Sequence, residues 1–192
     1  MYKKLLAGVA VTAISIACNS AIAQSSGDLN YSYLEAGVSV LDIDLGSASE
    51  TEVGFNVRGS ADISHGVYLH GAWDHWEVGA FDIDTDIYKV GLGYRFNLEG
   101  NTDLFLEGSY AAIEVGSADD DGFRGDVGLR HGFNDRFEGR IFGGFQTDGG
   151  DAEAILGADV LYKFQPNFGL SVGVESYEFD VNIFRANLRL SF

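Results

Sequence analysis

Histidine, serine and aspartate are the side chains of this sequence whose spacing could support catalysis. His70 and Asp74 fall on one side of an extended segment, and Ser60 and Ser109 could lie nearby. A serine, a histidine and a carboxylate can cooperate in hydrolysis when they meet in space. No nucleophile motif surrounds either serine. We therefore expect His70 to make a hydrogen bond inside the fold, and we predict that the protein is not an enzyme.

A second candidate site is the acidic run at Asp82, Asp84 and Asp86, which has the spacing of the first calcium ligands in an EF-hand. Ile87 stands where the EF-hand loop needs glycine, and no helices flank the run. The sequence therefore predicts a solvated acidic loop, and no metal or cofactor.

Alternation of apolar and polar residues dominates the chain and is clearest at its C-terminus. Phe184, Ala186, Leu188, Leu190 and Phe192 share one side of an extended strand. The other side carries Arg185, Asn187, Arg189 and Ser191. Strands of a transmembrane barrel have such a lipid-facing and a lumen-facing side. The end of this strand resembles the assembly signal of outer-membrane barrels, and we assign that signal to Leu188, Leu190 and Phe192.

Similar segments fill the rest of the chain, each about ten residues or more, which is enough to cross a bilayer when tilted. The predicted strands cover 30–40, 51–63, 66–77, 86–96, 102–115, 122–133, 137–147, 152–164, 168–177 and 184–192. Phe105 and Ile113 interrupt the alternation of their segment. The pattern predicts an all-β fold, an up-and-down antiparallel transmembrane barrel of about ten strands. Eight longer strands stay possible if two weak segments merge into loops.

The N-terminus has the features of a secretory signal peptide over residues 1–23. A basic start precedes an apolar run and a small-x-small site, so cleavage is expected between Ala23 and Gln24. Residues 24–192 would then form one barrel domain without cysteine. Cys18 leaves open the alternative of a lipoprotein.

Charge defines the expected interior and excludes one class of partner. The net charge of -17 argues against nucleic acid, which requires a basic patch. A narrow barrel fills with side chains, so we expect inward-facing charges to pair across strands and plug the lumen. The residues assigned to these ion pairs are Arg58, Lys89, Arg95, Glu107, Arg124, Asp126, Arg130, Glu138, Arg140, Arg185 and Arg189. A narrow conduit between them is the alternative.

Short connections alternate along the chain with connections rich in aspartate and glutamate. Because outer-membrane barrels have short periplasmic turns and longer outside loops, we place the acidic set outside and expect longer loops there. Trp73 and Trp76 lie near this side and are predicted to anchor the interface with the bilayer.

The stretch Leu29–Gly37, the stretch Tyr88–Tyr94, the Asn-Phe turns and the terminal aromatic are similar to a family of small Gram-negative outer-membrane proteins. These are single-barrel proteins of the OmpA/OmpX type, and some members have been described as diffusible quorum or immunity-triggering factors. The resemblance implies one barrel domain in the bacterial outer membrane, reached through the periplasm, and no catalytic residues.

We expect the partners to be outer-membrane lipid, lipopolysaccharide and the barrel-assembly machinery, and the protein to be a monomer. The sequence leaves three functions open. They are a non-enzymatic role in envelope integrity or surface interaction, a small-solute channel, and a lipid-modifying enzyme.

Overall fold

Ten antiparallel strands form a single closed barrel in the computed structural model, which describes residues 29–44, 49–78, 83–148 and 151–192. The strands are β1 Tyr33–Asp44, β2 Ser49–Ser64, β3 Val67–Val78, β4 Ile83–Asn97, β5 Thr102–Val115, β6 Ala118–Gly132, β7 Phe137–Asp148, β8 Asp151–Gln165, β9 Phe168–Tyr177 and β10 Val181–Ser191. The predicted all-β up-and-down barrel is confirmed with ten strands rather than eight. The signal peptide, with Ala23 and Gln24, lies outside the described residues.

Closure depends on the pairing of the first strand with the last. Glu35 in β1 lies opposite Arg189 in β10, and Ala36 lies opposite Leu188. This register keeps polar residues of both strands on the inside and apolar residues on the outside. Closure also leaves no unpaired strand edge, which would otherwise promote aggregation.

The outer surface of the barrel is apolar along every strand. Val38, Val172 and Leu188 are each about half exposed, and the same holds at alternate positions around the wall. These residues do not pack on one another in a second layer, because all ten strands belong to one closed sheet. A soluble sandwich is therefore not the fold of this chain. Among the described residues, no helix is long and apolar enough to cross a membrane.

The two ends of the barrel differ in charge and not in the length of their connections. We call the end that holds the turns at 65–66 and 166–167 the terminal end, because the chain reaches it at Tyr33 and at Ser191. The opposite end, which includes the connections 116–117 and 178–180, is the acidic end. Two to four residues separate the strands at either end.

The expectation of longer connections at the acidic end is wrong. Asp119, Asp120 and Asp121 belong to β6, which begins at Ala118 rather than at residue 122, and they pair with β5. Acidic residues therefore extend the strands beyond the apolar wall. The two ends still differ in charge, but the length of their connections does not distinguish them.

Apolar residues also occupy part of the interior, which alternation did not predict. Leu41, Trp76, Ile155, Tyr177 and Ile183 are buried in one cluster toward the acidic end. The cluster is continued along the lumen by Phe105 and Phe142. A smaller cluster at the terminal end contains Leu29, Tyr31 and Tyr68.

Trp76 corrects the prediction of two tryptophan anchors. Its side chain is fully buried inside the barrel, whereas Trp73 is partly exposed on the outer wall. The reason is the two-residue period of a strand, which sends residues three positions apart to opposite faces.

Two glycines make room for the interior rings. A Cβ on Gly93 would collide with the ring of Tyr68, and one on Gly157 would collide with the ring of Phe142. Small inward positions next to large ones let the side chains fill a narrow barrel.

Candidate functional site

The charged interior of the barrel is organised around Glu175, whose side chain is 2% exposed. Arg124 Nη1 lies 2.6 Å from a carboxylate oxygen of Glu175, Lys89 Nζ lies 3.2 Å away, and Arg185 Nη1 lies 3.4 Å from the other oxygen. The Tyr177 hydroxyl donates a further hydrogen bond to Glu175. Side chains from β4, β6, β9 and β10 therefore meet at one carboxylate.

Two further carboxylates balance the three cations around Glu175. Arg185 donates to both oxygens of Asp74, with distances of 2.7 and 3.0 Å. Arg124 Nε donates to Asp126 at 2.7 Å. Three positive and three negative groups are thus buried together. Such compensation is required because an unpaired buried charge strongly destabilises a fold.

A second network around Glu35 lies closer to the terminal end. Arg189 Nε donates to Glu35 at 2.6 Å. Arg58 lies 4.0 Å from Glu35 and 3.5 Å from Asp159, so it links β1 to β8 across the lumen.

Glu107 and Glu138 are two further inward-facing carboxylates with more than one partner. Arg140 donates to Glu107 at 2.7 Å, and the Tyr68 hydroxyl donates to it at 2.8 Å. Arg130 Nε donates to Glu138 at 3.1 Å, and Lys163 pairs with the same carboxylate. The lumen is therefore bridged from several sides.

The residues assigned to lumen ion pairs all face the interior. Arg95 lies near the terminal end, where it pairs with Asp62 at 3.3 Å and donates to the carbonyl of Leu29 at 2.8 Å. Sequence reasoning missed several participants, among them Asp74 as the partner of Arg185 and the tyrosines Tyr31, Tyr68 and Tyr177. The signal for Asp74 was its place on the same face of β3 as His70.

Tyr31 lies just before β1 and fills the lumen at the terminal end. The guanidinium groups of Arg95 and Arg130 lie 4.8 and 4.6 Å from its ring centroid, and the ring of Tyr68 lies 4.7 Å away. Burial raises the pKa of the Tyr31 hydroxyl, which therefore stays neutral. Sequence reasoning did not single out this residue, although it lies in the first predicted strand, 30–40.

Little free space remains among these side chains. A cavity of about 30 Å³ lies between Tyr68, Arg58, Arg140 and Arg189. Since one water needs roughly 10–15 Å³ by this measure, the cavity holds about two water molecules. This part of the lumen leaves no room for a larger solute.

His70 faces the interior, but its Nε2 atom does not make the hydrogen bond that was predicted for this side chain. Its Nε2 atom is buried and has no hydrogen-bond partner among the described residues. Asp74 is occupied by Arg185, and Ser60, which lies opposite His70 in β2, has an unpaired buried hydroxyl. The three groups therefore do not form the chain of hydrogen bonds that a hydrolase triad requires.

The predicted acidic loop is in fact part of a strand. Asp84 and Asp86 belong to β4 and pair with residues of β3, and Asp82 lies outside the described residues. Asp84 and Asp86 therefore do not form a calcium-binding loop.

The three C-terminal residues assigned to the assembly signal lie at the end of β10. Leu188 and Leu190 are exposed on the outer wall. The Phe192 amide donates to the carbonyl of Ser32 at 3.1 Å, and its carbonyl accepts a hydrogen bond from Asn30 at 3.3 Å. These contacts fix the end of the chain beside the start of β1, and the role in assembly stays a prediction.

No family model and no curated protein matches the chain. Among solved structures, Neisserial surface protein A is 13% identical with a TM-score of 0.43, and the match covers 83% of this chain and 96% of that one. The KdgM porin is 10% identical with a TM-score of 0.49, over 83% and 99% of the two chains. The attachment invasion locus protein Ail of Yersinia pestis is 15% identical with a TM-score of 0.40, over 84% and 97%. At these identities and TM-scores, the similarities say nothing about the function of this chain. Its barrel fold is established by the pairing of its own strands.

Proposed function

We propose that this protein is a non-enzymatic, integral barrel of the bacterial outer membrane whose lumen is sealed. It acts through its wall and its acidic end, in envelope integrity or in interactions at the cell surface. The observation that carries the proposal is a closed barrel that is apolar outside and filled with paired charges inside.

The apolar wall supports a position in a bilayer. Soluble monomers rarely expose continuous apolar patches larger than a few hundred Å², yet this barrel is apolar around its circumference, with residues such as Phe145, Leu156 and Phe184 about half exposed. A lipid phase covers such a surface, and a closed barrel satisfies the backbone hydrogen bonds that lipid cannot provide.

Two features support a sealed lumen. Ion pairs such as Arg185–Asp74 cross the interior, and the apolar cluster around Trp76 and Ile183 lies between them and the acidic end. An ion entering from that end would have to pass apolar side chains without its water shell, which costs free energy. The alternative of a small-solute channel has no specific observation in its favour.

The expected partners follow from the same surfaces. Outer-membrane lipid would contact the wall, lipopolysaccharide the rim at the acidic end, and the assembly machinery the strand that ends at Phe192. Most exposed large apolar side chains of the described residues belong to the wall that lipid would cover, so we propose a monomer.

Gel electrophoresis of outer-membrane fractions tests the position and the fold together. We expect the protein in this fraction, and we expect the unheated sample to migrate differently from the boiled sample. The reason is that a folded barrel has no free strand edge and resists detergent until it is heated. A periplasmic extract of the same cells is the control. Recovery in that extract, with no difference on boiling, would contradict the proposal.

A further inference from the structure

A histidine and several carboxylates converge on the outer wall near the acidic end. In the register between β3 and β4, His75 lies opposite Asp86, and Glu77 lies opposite Asp84. A ring nitrogen of His75 and one carboxylate oxygen each of Glu77 and Asp84 lie within 4.8 Å of one another. In the described part of the chain, no other three histidine, cysteine or acidic side chains converge in this way.

Asp86 holds the histidine ring in a fixed orientation. One of its carboxylate oxygens lies 3.0 Å from Nδ1 of His75 and accepts a hydrogen bond from Trp73 Nε1 at 2.8 Å. Histidines that bind metals commonly donate their second ring nitrogen to a carboxylate, which sets the tautomer and the direction of the ring. With Nδ1 donating to Asp86, Nε2 carries the lone pair that can bind a metal.

Aromatic side chains support the site from the middle of the wall. The ring centroids of Phe55 and His75 lie 4.8 Å apart, and those of Phe55 and Trp73 lie 5.0 Å apart. His75 is therefore partly covered, whereas Glu77 and Asp84 are exposed. A metal ion could reach these ligands from water without entering the barrel.

We propose that His75, Glu77 and Asp84 bind a divalent metal ion of the zinc class, with Asp86 as the residue that positions His75. Imidazole favours zinc, nickel or copper, whereas sites made only of carboxylates suit magnesium and calcium. Three protein ligands leave coordination positions open to water. The ion would offset the repulsion between neighbouring carboxylates and join the ends of β3 and β4. This site is independent of the proposed function, since it needs only the barrel wall.

Calorimetric titration of the folded full-length mature chain in detergent with zinc chloride tests the site. Millimolar magnesium is kept in the buffer to saturate weak acidic sites. We expect one zinc ion per chain, and titration with cobalt should give the visible absorption of a nitrogen-containing site. His75→Gln and Asp84→Asn each remove one ligand and should lower zinc affinity at least tenfold. Asp86→Asn keeps all three ligands and should lower it by about 10–100-fold through the lost orientation.

Two variants serve as matched controls. His131→Gln removes a partly exposed histidine of β6 that contacts Thr102 and Phe133 rather than a pair of carboxylates. Glu50→Gln removes an exposed carboxylate of β2 near the same end. Both should bind zinc as the parent does, and all variants should keep the gel shift of a folded barrel. Zinc binding that magnesium displaces, that has no defined stoichiometry, or that survives His75→Gln would overturn the proposal.

Discussion

Replacing Glu175 with alanine is expected to lower the free energy of unfolding by about 3–5 kcal/mol. Its carboxylate is shared by Lys89, Arg124 and Arg185. Removing it leaves three cations in a buried site with only two carboxylates nearby, and an uncompensated buried charge is the costly outcome. Unfolding in urea, followed in lipid vesicles by tryptophan fluorescence, measures the difference.

Glu50→Ala is the control for this prediction. Glu50 is an exposed carboxylate in β2, and surface substitutions usually change stability by no more than about 0.5 kcal/mol. If both variants unfold at the same urea concentration, Glu175 does not neutralise the lumen cations and the network described here is wrong.

A charged residue in the middle of the outer wall should also destabilise the protein strongly. Val172 lies in the middle of β9 and is 52% exposed. In water, arginine at such an exposed position would be nearly neutral. In a bilayer, arginine near the midplane of a barrel costs about 2–4 kcal/mol. We therefore expect Val172→Arg to lose about that much stability in the same vesicle assay.

Val115→Arg provides the matched control, because the same substitution is made at an exposed valine at the acidic end of β5. The cost near the interface should fall to about 0–1 kcal/mol. Equal losses of stability in the two variants would mean that the cost of arginine does not depend on its position along the strand, which would contradict a wall that spans the bilayer.

The strands were predictable because successive side chains of a strand point to opposite faces, and in a barrel these two faces meet lipid and lumen. The sequence therefore alternates between apolar and polar residues with the period of the strand. In β10, Arg185 and Arg189 face inward and Leu188 and Leu190 face outward, as the sequence predicts. The inward-facing cations were found in the same way. Their partners depend on strand register and barrel closure, which no local pattern contains. Arg185 and Asp74, for example, are 111 residues apart.

The apolar part of the lumen was not predictable from alternation. Trp76, Phe142 and Ile155 face inward although they are apolar. A barrel that excludes water from its lumen can bury apolar residues on both faces of a strand, so hydrophobicity alone does not indicate the face. Phe105 interrupted the pattern of its segment because it lies inside and is fully buried. Such interruptions are the only local signal of the apolar cluster.

The acidic end shows a similar limit of sequence reasoning. Runs of aspartate usually indicate loops, because aspartate has low strand propensity. Here Asp119 and Asp120 continue β6, since pairing with β5 extends past the apolar wall. The metal site proposed on β3 and β4 could not be predicted either, because only the strand register brings Asp84 beside Glu77.

Conductance of the purified barrel in planar lipid bilayers tests the sealed lumen most directly. A sealed barrel should insert stably, shown by recovery of the heat-modifiable form from the bilayer lipid, and should give no single-channel steps over the voltages at which a reference porin conducts. Reproducible steps with charge selectivity would contradict it. The side chains around Glu175 and Trp76 would then line a pathway for ions, and the channel alternative would replace the sealed barrel.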